Sequence, residues 1–128
     1  MDILINNAGQ SYRSDSDDNC AISNDEFKKV LDTNVVGTWC IIREALPYLK
    51  KSGDGNIVNI TSCAGIDPAS ASSGIPYSVA KAAINHLTKF LAKECGPEIR
   101  ANGIAPGLIL TPRTENFYEA VIANPVML

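Results

Sequence analysis

Residues 2–7, DILINN, form an apolar run in which β-favouring side chains follow one another without polar alternation. A strand with one wet face alternates; a run that does not alternate suits a strand covered on both faces, as in a parallel sheet. That constrains the rest of the chain, because parallel strands cannot be joined by a hairpin and need a crossover, usually a helix. The intervals supply the crossovers. Residues 10–24 are polar and acidic, and near their end Ser23 and Glu26 have the spacing of a helix capping box. Apolar residues recur at Phe27, Val30, Leu31 and Val35 and onward to Leu49. This spacing predicts one long helix over about 24–50, whose last turns Pro47 should bend or loosen. SGDGN at 52–56 makes a turn, and NIVNITS at 56–62 reads as a second buried strand.

A segment of small residues runs from Cys63 to Ile75. A second helix is predicted over about 76–95, with Pro76 in its first turn and Gly96 as its C-terminal stop. Residues 100–105 give a short third strand ending in Pro106-Gly107, and the tail from Thr111 reads as a further helical piece. Strand, helix, strand, helix, strand is the pattern of an α/β fold with a doubly wound parallel sheet, here a single domain over 1–128. The net charge of −3, with no basic block, argues against nucleic acid or an anionic membrane surface as partner. No apolar run approaches the roughly 20 residues of a membrane span, and the start lacks the features of a secretory signal. Cys20, Cys40, Cys63 and Cys95 lie far apart with a single histidine, so no metal site is expected and the thiols suit a reduced, cytoplasmic setting.

Ligands of an open parallel sheet bind outside the carboxyl ends of its strands, and the informative residues collect there. Asn6-Asn7-Ala8-Gly9 closes the first strand, Ser62 the second and Pro106-Gly107 the third. Tyr77 and Lys81 open the following helix in PYSVAK, four apart and therefore on one face. Singly, each is ordinary: a solvated helix face, a strand-end serine, a turn rich in Asn and Gly. Together and in this order they resemble the short-chain dehydrogenase/reductase family along nearly the whole chain. The matches are NNAG at 6–9, Asn34 in LDTNVVG, Ser62 in IVNITS, YSVAK at 77–81, and Asn102 followed by PGLILT at 106–111. The wording is most similar to the branch of 3-oxoacyl-carrier-protein reductases and sugar or polyol dehydrogenases.

The resemblance implies a partial Rossmann-like sheet of about three strands with two long helices. It also implies an oxidoreductase that passes hydride between NAD or NADP and a small alcohol or ketone. In that reading Tyr77 is the general acid/base, Lys81 tunes it and binds the nicotinamide ribose, Ser62 holds the substrate oxygen, and Asn34 holds a relay water. Asn7, Ala8 and Gly9 line the adenosine side. Pro106, Gly107, Ile109 and Thr111, with Tyr77 and Lys81, meet the nicotinamide end. A phenol in water titrates near 10, so service as a base near neutrality asks for about 4 kcal/mol. One cation about 4 Å away supplies roughly that at an effective dielectric of about 20. His86, nine residues after Tyr77, lies about half a revolution round the helix and is expected outside the site. Cys63 is expected to be structural, and the acidic residues at 15–18 solvated.

Ser62 and Tyr77 are fifteen residues apart, slightly more than the family's usual separation. The family's TGxxxGxG turn, the residue that selects NAD or NADP, and its closing strand have no counterpart in these 128 residues. The chain is therefore expected to bind a dinucleotide weakly or not at all. Two expectations stand side by side. One is an oxidoreductase with its catalytic half present. The other is a catalytically incomplete piece that associates, as the family commonly does, as a homo-oligomer through helices 24–50 and 76–95.

Overall fold

In a computed structural model of the chain, residues 1–11, 20–68, 74–112, 114 and 115 are described. Strands β1 (Ile3–Asn6), β2 (Gly55–Ile60) and β3 (Ile99–Ile104) form one sheet in the order β1-β2-β3, both pairs parallel. Asn6 stands opposite Asn59 and Ile60 opposite Ile104, so the strands finish at a common edge. Past that edge β2 and β3 stay in contact: Thr61 N–H donates to the Ile104 carbonyl at 2.7 Å and Cys63 N–H to the Pro106 carbonyl at 3.0 Å.

Helix α1 (Asn24–Leu31) begins as the sequence predicts. Ser23 Oγ accepts from Glu26 N–H at 3.3 Å while the Glu26 carboxylate accepts from Ser23 N–H at 3.0 Å, an arrangement that contributes about 1 kcal/mol. The single helix expected over 24–50 is, however, interrupted. A π turn at Asp32–Val36 separates α1 from α2 (Gly37–Ser52). The reason lies in the spacing of the inward residues, for Val30, Asn34, Thr38 and Ile42 are all buried and recur every four. At 3.6 residues per turn a step of four overshoots by about 40°, so three steps would carry Ile42 about a third of a revolution off the core. The wider π turn takes up that drift. Pro47 does not end the helix, which runs on to Ser52 and stops at Gly53, where φ is +80° and the N–H bonds back to the Lys50 carbonyl.

Helix α3 (Ile75–Cys95) also stops at a glycine, but Gly96 is extended (φ −75°, ψ 152°) rather than left-handed. Space is what it supplies: a Cβ there would stand 2.7 Å from the Ala92 carbonyl oxygen.

The core forms on one face of the sheet. Ile57, Ile99 and Ala101 pack with Leu4 beneath Ile42, Ala45 and Leu49 of α2 and Leu91 of α3. The other face is open, with Ile3 58%, Ile5 62% and Ile104 53% exposed. The expectation that β1 is covered on both faces is therefore corrected: its burial alternates although its polarity does not. Among the described residues α2 and α3 pack on the same side, and the second layer of a doubly wound sheet is not represented. The acidic residues 15–18 lie outside the described residues, as does nearly all of the helical piece expected from Thr111.

Candidate active site

Lys81 is the centre of the cluster at the strand ends. It is only 6% exposed, its Nζ donates to the Ile60 carbonyl at 2.8 Å, and Nζ stands 5.5 Å from the centroid of the Tyr77 ring. No carboxylate lies within ion-pair distance of it among the described residues. Burial without a counter-charge holds the Lys81 amine below the usual lysine value of 10.5. An ammonium carries three donors; one is engaged with Ile60, which leaves two for a ligand.

This burial has a measurable consequence. The folded state binds the Lys81 proton less readily than the unfolded chain does, and stability rises with pH wherever the unfolded state holds more protons. Between the lowered Lys81 value and 10.5 the natural protein should thus gain stability relative to Lys81→Met, which lacks the proton. Urea unfolding of both proteins from about pH 7 upward is expected to show the difference moving in the natural protein's favour. Parallel curves would mean that Lys81 is solvated like a surface lysine.

The loop after β1 passes directly over this amine. A Cβ on Gly9 would run into the Asn34 side-chain oxygen and lie 3.7 Å from Lys81 Nζ, so only glycine allows the approach. Asn34, 2% exposed, is turned inward by the π turn. Its Nδ2 donates to the carbonyls of Gln10 (2.7 Å) and Val30 (2.9 Å), and its Oδ1 accepts from Gln10 N–H at 3.2 Å. Asn34 is thus a clasp on the loop exit. With both amide protons engaged, a relay water there would meet an acceptor rather than a donor.

Ser62 is half-buried, and its Oγ accepts from Ala64 N–H at 3.2 Å, capping a 3₁₀ turn at Cys63–Gly65. The hydroxyl proton remains for another acceptor. The turn is seated hard against α3: a Cβ on Gly65 would fall 2.6 Å from the Lys81 carbonyl carbon and 2.7 Å from Ala82 N. Asn85 Nδ2 adds a bond of 3.3 Å to the Gly65 carbonyl. Gly65 and Gln10 were not singled out from sequence, although a glycine three residues after the strand-end serine was there to be read.

The expected residues therefore divide. Tyr77, Lys81, Ser62, Asn34, Gly9 and Pro106 gather at one sheet edge. Asn7, Ala8, Gly107, Ile109 and Thr111 are exposed at its rim. The Ile109 carbonyl there accepts from the Thr114 hydroxyl at 2.7 Å, and Thr111 N–H donates to the same hydroxyl at 2.9 Å. His86 is exposed and stacks edge-on against Phe90 at 5.1 Å, outside the cluster as expected. A cavity of about 410 Å³ lined by Met1, Leu4, Ile41, Ala45 and Tyr48 lies at the opposite end of β1 from Lys81.

The short chain dehydrogenase profile matches residues 1–121. The chain spans about half the length of the curated relatives it matches; one from Streptomyces violaceoruber is 41% identical over 116 residues, 91% of this chain and 46% of that protein. The solved 3-oxoacyl-[acyl-carrier protein] reductase from Brucella melitensis superposes with a TM-score of 0.86 at 36% identity, over 99% of this chain and 48% of its own. Two further structures hold nicotinamide dinucleotides. The 4-hydroxyisoleucine dehydrogenase complexed with NADH gives a TM-score of 0.79 at 36% identity, over 98% of this chain and 49% of its own. ElxO with NADP bound gives 0.77 at 32%, over 97% and 48%.

Proposed function

Because the chain belongs to the short-chain dehydrogenase family, whose α/β, Rossmann-like sheet it shares, we propose that it works in hydride transfer between NAD or NADP and an alcohol or ketone, with Tyr77 as the general acid/base. One observation carries this reading. At the carboxyl ends of three parallel strands, a buried amine with no counter-charge among the described residues stands 5.5 Å from a tyrosine ring. A positive charge beside that ring favours negative charge developing on the phenol oxygen as its proton is handed over.

The residues present fit the nicotinamide-ribose end of such a cofactor. Gly9 leaves the space that a Cβ would fill, and Lys81 keeps two N–H donors for ribose hydroxyls. When bound, the cofactor supplies the hydride chemistry. Tyr77 exchanges a proton with the substrate oxygen, and the Ser62 hydroxyl hydrogen-bonds that oxygen. Lys81 holds its charge beside Tyr77, anchored by the Ile60 carbonyl. Asn34 keeps the Gly9 backbone in place through Gln10, and a water accepted there links Lys81 to solvent. Asn7 and Ala8 line the adenosine side, while Pro106, Gly107, Ile109 and Thr111 line the nicotinamide side. The test follows absorbance of the reduced cofactor with a panel of ketones and alcohols. Turnover that persists undiminished in Tyr77→Phe removes the reading.

A second role is favoured by the outward helix faces. Val36 (49%), Trp39 (41%) and Tyr48 (62%) on the π turn and α2, with Val79 (42%) and Phe90 (50%) on α3, are exposed apolar residues. They suit a homo-oligomer formed through these helices. Sedimentation velocity is expected to show a dimer or larger assembly that Trp39→Glu with Phe90→Glu converts to monomer; a monomeric natural protein would exclude it. No described helix is long and apolar enough to cross a membrane, in keeping with a proposed cytoplasmic setting.

A further inference from the structure

A chain of hydrogen bonds, part-buried at Asn6 and buried at Asn59 and Thr88, runs beneath the site and belongs to none of the roles above. Asn6 Nδ2 on β1 donates to Asn59 Oδ1 on β2 at 2.8 Å, and Asn59 Nδ2 donates to Thr88 Oγ1 on α3 at 2.9 Å. The Thr88 hydroxyl in turn donates to the Ile84 carbonyl at 2.8 Å. Asn59 is 0% and Thr88 7% exposed. The direction is forced from the far end. A carbonyl can only accept, so the Thr88 proton points to Ile84, its oxygen must face an N–H, and the Asn59 amide cannot be flipped.

We propose that Thr88 is a positioning residue that fixes α3 against β2 and thereby sets where Lys81 and Tyr77 stand. The inference rests on reading Lys81 and Tyr77 as the working pair. Thr88 lies seven residues after Lys81, two turns along the same helix face. Thr88 is tied to the side chain of Asn59, and Lys81 is tied to the carbonyl of Ile60, the next residue of the strand. Two tethers two turns apart define both the height and the rotation of α3 over the strand. Apolar contacts at the same place would hold the helix down without fixing either, because they are non-directional whereas hydrogen bonds weaken steeply with misalignment. The third member, Asn6, immediately precedes the Asn7–Gly9 loop, and Asn59 is three residues before Ser62. One ladder therefore references β1, β2 and α3, the elements that carry Asn7–Gly9, Ser62, and Tyr77 with Lys81, to one another.

The experiment compares Thr88→Val, which removes the hydroxyl at nearly constant shape, with Thr88→Ser, which keeps it. Two readouts are taken on the full chain: steady-state kinetics, and the pH titration of the Lys81 side chain by NMR of labelled lysine, assigned with Lys81→Met. Thr88→Val is expected to lower kcat about tenfold with little change in KM and to move the Lys81 titration upward toward an ordinary lysine. Thr88→Ser is expected to restore both. If both variants lose similar stability while kcat and the Lys81 titration stay at natural values, Thr88 is structural only and the proposal fails. Where no substrate is turned over, the Lys81 titration alone decides it, so failure of the oxidoreductase reading is distinguishable. Should Thr88→Val not fold, Asn59→Leu with Thr88→Val leaves no orphaned pair between strand and helix and carries the same expectations.

Discussion

Tyr77→Phe is expected to lower kcat by about 10²–10⁴, the range that a positioned proton donor or acceptor supplies, or roughly 3–5 kcal/mol of barrier. KM for the dinucleotide should change little, because Lys81, Gly9 and the strand ends remain. The substitution removes one hydroxyl from a half-buried ring that opens α3, so the melting temperature should stay close to that of the natural protein. This contrast separates chemistry from folding. Stopped-flow measurement of a single turnover, with circular dichroism on the same samples, checks both halves. A fall of less than fivefold would assign the proton to another group.

Gly65→Ala should be nearly as damaging although the residue carries no chemistry. The new methyl would meet the backbone of Lys81 and Ala82 at 2.6–2.7 Å, distances that real side chains do not tolerate, and backbone cannot swing away as a flexible side chain can. The turn that Ser62 caps must therefore lift from α3. Overpacking of this kind costs about 1–3 kcal/mol of stability. A shift of about 1 Å between Ser62 and the Tyr77–Lys81 pair would cost about a hundredfold in rate. Kinetics paired with thermal unfolding should show the larger loss in kcat. A variant with natural kcat would place Ser62 outside the reacting set.

Much of this was legible before any coordinates. The apolar runs, the capping box and the ends of the strands gave the parallel order, and the four-residue spacing of Tyr77 and Lys81 gave their common helix face. Three things were not legible, each for a physical reason. The π turn at Asp32–Val36 hides in a pattern of every-fourth residues that a one-helix reading absorbs without protest. The open face of β1 could not be read because Ile3 and Ile5 are as apolar as Leu4, and polarity alone does not say which of them is covered. Gly65 and Thr88 act through contacts between elements distant in sequence, where a glycine or threonine in isolation looks like turn or helix filler.

The π turn leaves a constraint on sequence length. Deleting one residue between Asp32 and Val36 would give an unbroken α-helix, a change that secondary-structure content would scarcely register. Ile42 would then stand eleven residues after Val30, about 20° from its present heading at 100° per residue, so Ile42, Ala45 and Leu49 would keep their place on the core while Asn34 lost the turn that directs it inward. Substitutions in this turn are local events. A one-codon deletion there would likewise be local, whereas one later in α2 would turn every side chain beyond it by about 100°, so the turn should tolerate a shortening that the rest of the helix does not.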